Sequence, residues 1–176
     1  NRYVIKRPGF ATRNTPASGS RGMALIVWTG QSNKIMSAFG DTNSTLYDST
    51  TSKGAISGAV TAFAETFLSA QATLLMSSSD STGWYYDTAV DVATKISDAQ
   101  FPGNDGYVLA GGFAVMAGYS CIMTTDSKLW ASDLNSVTGW TANSYDTANV
   151  YPDLGVGCVR FKNFIMAFGS ESVEFW

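Results

Sequence analysis

The sequence predicts an all-β fold: a β-propeller-like arc of about four Met-centred antiparallel blades, part of a larger closed propeller. Three observations predict it. Short apolar runs, rich in β-branched and aromatic residues, are separated by Gly, Ser, Asn and Asp turns along the 176 residues. Four segments share one grammar at a spacing of about 40–47 residues, close to the period of a four-stranded propeller blade. The chain is 45% hydrophobic but only 14% charged, against about 25% in an average soluble protein. Ser, Thr, Gly, Ala and Asn fill the difference, as in neutral, polar, β-rich extracellular and virion proteins.

In chain order, residues 1–21 read as an N-terminal arm. Arg2, Lys6, Arg7, Arg13 and Arg21 stand there among few acids. They suit a solvated arm, with phosphate contact as the second reading. Residues 22–176 read as a partial propeller, with units at approximately 22–60, 61–104, 105–150 and 151–176. The segments "KIMSAFGDTNSTLYD", "TLLMSSSDSTGWYYD", "CIMTTDSKLWASD" and "FIMAFGSESVEFW" carry Met36, Met76, Met123 and Met166. Around each Met lies an apolar strand, then a polar turn with an acid, then a strand carrying Trp or Tyr. Each is preceded by a small-residue apolar run: "MALIVWT", "AFAETFL", "GGFAVMA" and "GVGCVRF". The order is therefore inner strand, tight turn, Met strand, acidic turn, third strand. A weaker fourth strand is expected in "GAISGAV" and "VDVATKI". The inner runs do not alternate cleanly, so both their faces are expected to be buried between blades. The competing fold is a generic β-sandwich. The best helical candidate, Thr88–Gln100, is too rich in β-branched residues to carry a helical reading.

The chain opens on Asn1 and closes on Trp176 within strand-like sequence, so it is expected to be a segment of a longer protein, with the rest of the ring following Trp176. No apolar run approaches the roughly 18 residues of a membrane span.

The chemistry is sparse. There is no histidine, which removes Ser-His-Asp and Cys-His catalysis and His-ligated zinc. Cys121 and Cys158 lie in apolar runs, as buried thiols or a disulfide, and do not form a metal knuckle. Carboxylate pairs exist in Asp87 with Asp91 and Asp146 with Asp153, but all stand near turn formers, where Asp bonds its own backbone. "SSSDSTGWYY" and "TTDSKLWAS" faintly resemble the Asp-box turn of sialidase-type propellers, a structural turn. Trp84, Tyr85, Tyr86, Trp130 and Trp140 could stack on sugars, although packing between blades is the commoner use of such rings. These residues give no catalytic, cofactor or metal site, and no enzyme or cofactor is expected.

Two stretches carry a family resemblance. "YVIKRPGFATRN", with the Gly-rich lead "GSRGMALIVWTG", and the closing "YPDLGVGCVRFKNFIMAFGSESVEFW" resemble short-tailed-phage tail hub proteins, the packaged-DNA stabilisation family, which belongs with the tail nozzle propellers. Residues from about 49 to 105 match only in rhythm. The resemblance implies a virion structural protein, made in the host cytoplasm. It implies a symmetric six-fold ring contacting portal or adaptor and tail-tip proteins, extending the DNA channel, retaining packaged DNA and acting in genome ejection. Double-stranded DNA would pass without sequence-specific binding, with Arg2, Lys6, Arg7 and Arg13 as candidate weak DNA contacts. The net charge of -3 fits a conduit that must not grip phosphate. The alternative function is a carbohydrate-binding or sialidase-like β-propeller.

Overall fold

The computed structural model describes residues 21–67, 72–148 and 153–176. They form antiparallel sheets in strict sequence order. The first sheet holds β1 (Arg21–Trp28), β2 (Lys34–Gly40), β3 (Ser44–Asp48) and β4 (Thr51–Ile56). The second holds β5 (Val60–Thr66), β6 (Thr73–Ser78), β7 (Gly83–Asp87) and β8 (Thr94–Lys95). The third holds β9 (Leu109–Met116), β10 (Tyr119–Thr124), β11 (Lys128–Ser132) and β12 (Trp140–Thr147). The fourth has three strands: β13 (Gly155–Phe161), β14 (Phe164–Gly169) and β15 (Val173–Phe175). Thr88–Gln100 contains turns and β8 but no helix.

Each sheet is a meander joined by short turns. The link from β9 to β10 is Ala117 and Gly118, with φ of 51° and 87°. Such a left-handed pair matches the twist of the strands it joins. Inner strands β1, β5, β9 and β13 pack on one another in succession, which sets the sheets side by side as propeller blades.

Apolar residues fill the three spaces between the sheets. Trp28, Met36, Leu46, Leu74, Met76 and Tyr86 lie between the first and second. Leu75, Ile96, Phe101, Phe113, Ile122, Trp130 and Trp140 lie between the second and third. Ala114, Cys121, Met123, Cys158, Ile165 and Ala167 lie between the third and fourth. The alternation along β6, with Leu74 and Met76 to one side and Leu75 to the other, is what a strand between two sheets requires.

All four repeat methionines lie on second strands: β2, β6, β10 and β14. Their side chains do not all point the same way. Met36 and Met123 face the following sheet, and Met166 turns away from the third sheet, whereas Met76 faces back toward the first. A shift of one residue moves a side chain to the opposite face. In the second sheet it is Leu75 that points forward.

The imperfect alternation of the inner strands has a local cause. Pairing shifts between Gly22 and Ala24, between Val60 and Ala62, along β9, and between Gly155 and Gly157. These bulges break the period of two. Burial on both faces holds only in part: Leu25 and Val27 on β1, and Val156 and Val159 on β13, are exposed. In the middle of the arc the inner strands do come close. A Cβ on Gly112, whose φ is +65°, would lie 3.3 Å from the Cys158 carbonyl oxygen.

Candidate assembly interface

The sequence offers carboxylates as its main chemical groups, and the fold commits them to turns. Asp80, between β6 and β7, accepts hydrogen bonds from Ser78 Oγ (2.5 Å), Thr82 Oγ1 (2.7 Å) and Ser57 Oγ of the first sheet's end (2.6 Å). Burial alone would raise its pKa. The donors Ser57, Ser78 and Thr82 outweigh that and hold it at about 2. Asp126, between β10 and β11, takes Thr124 Oγ1 at 2.6 Å and Lys128 Nζ at 2.8 Å. Burial again works upward, and Lys128 and Thr124 pull the acid below its ordinary value. These are the two Asp-box-like stretches, and both Asp side chains organise their own turns.

The carboxylate pairs make no dyad. Asp87 accepts the backbone N–H of Ala89 and Val90, each at 2.8 Å. Asp91 takes Lys53 Nζ and Tyr86 OH, each at 2.7 Å, and Lys53 is the main cause of its lowered pKa. Burial first, and then Asp91, push the Tyr86 phenol far above its ordinary value. Asp146 accepts the Thr147 N–H. Asp153 accepts the Glu171 N–H at 2.7 Å, the main cause of its lowered pKa, and Ser172 Oγ at 3.2 Å. Asp87 and Asp146 bond their own local backbone, as expected, whereas Asp91 is held by side chains that include Lys53 of the first sheet, and Asp153 reaches across to the turn between β14 and β15.

The aromatic rings follow the packing role. Trp130, Trp140 and Tyr86 are buried, and Trp84 and Tyr85 are half-buried against the cores. Cys121 and Cys158 are free, buried thiols, which burial pushes up to about 11 and about 12. Among the described residues no group of three or more His, Cys, Asp or Glu could hold a metal ion. Among the described residues no helix is long and apolar enough to cross a membrane. Arg2, Lys6, Arg7 and Arg13 lie outside the described residues. Arg21 is exposed at the start of β1, 3.8 Å from Asp41.

What the surface does offer is apolar. Where β5, β9 and β13 end, a cleft of about 590 Å³ is lined by Phe67, Met116, Val159 and Arg160 among others. Next to it Glu65 ties the first sheet to the second, accepting from Thr29 N and Oγ1 at 3.0 and 2.6 Å. Arg160 Nη1 donates to the Val115 carbonyl at 3.4 Å, tying the fourth sheet to the third. Sequence reading missed both clasps, because an isolated Glu or Arg in an apolar run carries no local signal.

The larger feature is the outer face of the fourth sheet. Ile165 and Ala167 point into the core against the third sheet, so Phe164, Met166 and Phe168 point away from it. Their cross-strand partners lie on the same side: Phe161 opposite Phe164, Val159 and Phe175 opposite Met166, and Val173 opposite Phe168. The Phe164 and Phe175 rings meet edge to face at 6.2 Å. Val159, Phe161, Phe164, Val173 and Phe175 are all exposed, with Phe175 at 60%. A continuous apolar patch of this kind marks an interaction surface.

Solved structures share the fold. The β-propeller domain of Myceliophteria thermophila Cps50 (Swd1) matches with a TM-score of 0.59 at 13% identity, over 89% of this chain and 54% of that one. BBS1N, in its complex with ARL6DN, matches with a TM-score of 0.55 at 10% identity, over 81% of this chain and 43% of that one. The chain thus spans about half the length of these two chains. No curated protein matches the sequence. The family model described as "Bacteriophage P22 Gp10, beta-propeller" matches residues 1–176. With its four antiparallel sheets in propeller order and that match over its whole length, the chain belongs to this family of phage structural β-propellers.

Proposed function

We propose that this protein works in the phage tail as a ring component below the portal, where it extends the DNA channel, retains the packaged genome and takes part in its ejection. The observation that carries the reading is the family match over the whole chain. Two physical features support it. The carboxylates are held in turns, which suits a structural part. The low charge, with a net of -3, leaves little to grip phosphate, so a duplex could slide past. In this role the ring is six-fold and is held by protein–protein contacts to portal or adaptor and tail-tip partners. Arg2, Lys6, Arg7 and Arg13 would give only weak, steeply salt-dependent affinity for duplex DNA.

The test is to delete the gene and examine the particles. The expected result is heads that package DNA and then lose it, with no tail tip attached. Particles that keep their DNA and a complete tail, but fail to bind a host glycan, would overturn the proposal in favour of the carbohydrate-binding alternative. Nothing in the site favours that alternative, since three of the five rings it would use are buried.

A further inference from the structure

We infer that Cys121 and Cys158 are a redox pair, which a small-molecule disulfide such as glutathione disulfide converts to one cross-link, a covalent strap between the third and fourth sheets.

Three features carry this. The first is placement. Cys121 on β10 and Cys158 on β13 share the one buried cluster between these sheets. Cys158 Sγ lies 3.8 Å from the Cys121 carbonyl oxygen and 3.9 Å from that of Gly112. The backbones run close here, since a Cβ on Gly112 would lie 3.3 Å from the Cys158 carbonyl oxygen. A disulfide needs such an approach, because its Cα atoms lie about 5.5–6 Å apart. The second feature is what else joins the two sheets. Among the described residues no strand of one pairs with a strand of the other. The cluster between them is small apart from Met123, Leu129 and Ile165. A bond between residues 37 apart in sequence closes a long loop and removes freedom from the unfolded chain. The third feature is control of access. Burial, joined at Cys158 by the like charge of a Cys121 thiolate, keeps both thiols protonated. The thiolate is the reactive form, so reaction waits until the fourth sheet parts from the third.

The chemistry balances. One cysteine, exposed by that opening, loses its proton and attacks a sulfur of glutathione disulfide. The S–S bond breaks, one glutathione leaves as a thiolate, and a mixed disulfide stays on the protein. When the sheets close, the second cysteine loses its proton and attacks the protein-bound sulfur. It expels the second glutathione and completes the Cys121–Cys158 bond. Two protein thiols are oxidised, one glutathione disulfide is reduced, and the two released protons go to the two glutathione thiolates. The timing rests on the proposed tail role. A protein made in a reducing cytoplasm and carried in a particle outside the cell meets oxidising conditions on release, and the strap sets then. The cross-link itself does not rest on that role, so the two fail separately.

The test exposes the folded, reduced protein to glutathione disulfide, then unfolds it, alkylates free thiols and maps it by mass. The expected product lacks two hydrogens, resists alkylation and yields Cys121 and Cys158 in one cross-linked peptide pair. Cys121→Ser and Cys158→Ser should each stop at a single glutathione adduct. Oxidation should raise the thermal midpoint of the parent by about 5–10 °C, a shift that a thiol reductant reverses and both variants lack. Two glutathione adducts on one chain, a cross-link between chains, or two thiols that stay free would each overturn the inference. So would an unchanged or lower midpoint in the cross-linked parent. The peptide map uses the parent alone, so it decides the matter even where a variant fails to fold. Particles released from cells should carry the cross-link, and free thiols there would overturn the timing.

Discussion

The space between the second and third sheets and the space between the third and fourth are built from different materials. The former is aromatic. Phe101 meets Trp140 edge to face at 5.1 Å, and Trp130 lies between Tyr107 and Tyr145 at 5.0 and 4.6 Å. The latter is made of alanines, two cysteines, Met123, Leu129 and Ile165, and its inner strands approach through glycine. A large ring fills its space through its own volume and leaves a large void when removed. A small-residue contact depends on backbones running close together, where each side chain contributes less and added bulk is poorly tolerated. The fourth sheet is therefore held more lightly than the third, although both obey one blade grammar.

Trp130→Ala should have the largest effect, a loss of about 3–5 kcal/mol in chemical denaturation, because it empties the centre of the aromatic contact. Ile165→Ala, at the middle of the small-residue contact, should cost about 2–3 kcal/mol. It should also raise hydrogen exchange in β13 to β15 before it does so in β9 to β12. Equal losses for the two variants, or exchange rising uniformly, would break the contrast between the spaces.

Asp80→Asn sharpens the contrast from outside, since it loosens the turn that joins the ends of the first and second sheets. It should cost about 1 kcal/mol. The folded-state pKa of about 2 lies below the ordinary 3.8. The stabilisation is therefore present above pH about 4 and is lost as pH falls toward about 2. Acid titration of stability should show a smaller loss in Asp80→Asn than in the parent, the remainder coming from Asp91, Asp126 and Asp153. The smallest effect belongs to Phe164→Ser in the 176-residue chain, within about 0.5 kcal/mol by denaturation, because the ring is half exposed. A loss above about 1.5 kcal/mol would mean that the outer face is already covered in this chain.

Strand order was legible because apolar runs and turn residues recur in step. Met36, Met76, Met123 and Met166 marked the second strands correctly. The facing of Met76 was not legible, since a one-residue phase depends on where each bulge falls. The fourth strands were hard to read for other reasons. "GAISGAV" straddles the end of β4 and the start of β5, and "VDVATKI" yields only the two residues of β8. β12, "WTANSYDT", is an edge strand with mostly exposed, polar residues, so it showed no hydrophobic period. At the surface, the turn role of Asp80 and Asp126 could be read from the Ser and Thr beside them, whereas the reach of Asp91 to Lys53 and of Asp153 to Glu171 could not, because those partners are distant in sequence. The apolar patch could not be read, because Phe164 and Ile165 look alike in sequence and only the register separates the outward residue from the buried one.

The succession of inner strands also decides how the arc comes apart. The extensive contacts of each described sheet are with its sequence neighbours, so the energetics follow a one-dimensional lattice with nearest-neighbour coupling. A sheet inside the series is coupled on two sides and the fourth, among the described residues, on one. Fluctuations therefore fray the series from its lightly coupled end inward, as a zipper opens. Joining the two ends of such a lattice into a ring would remove the fraying boundary and make every blade an interior one.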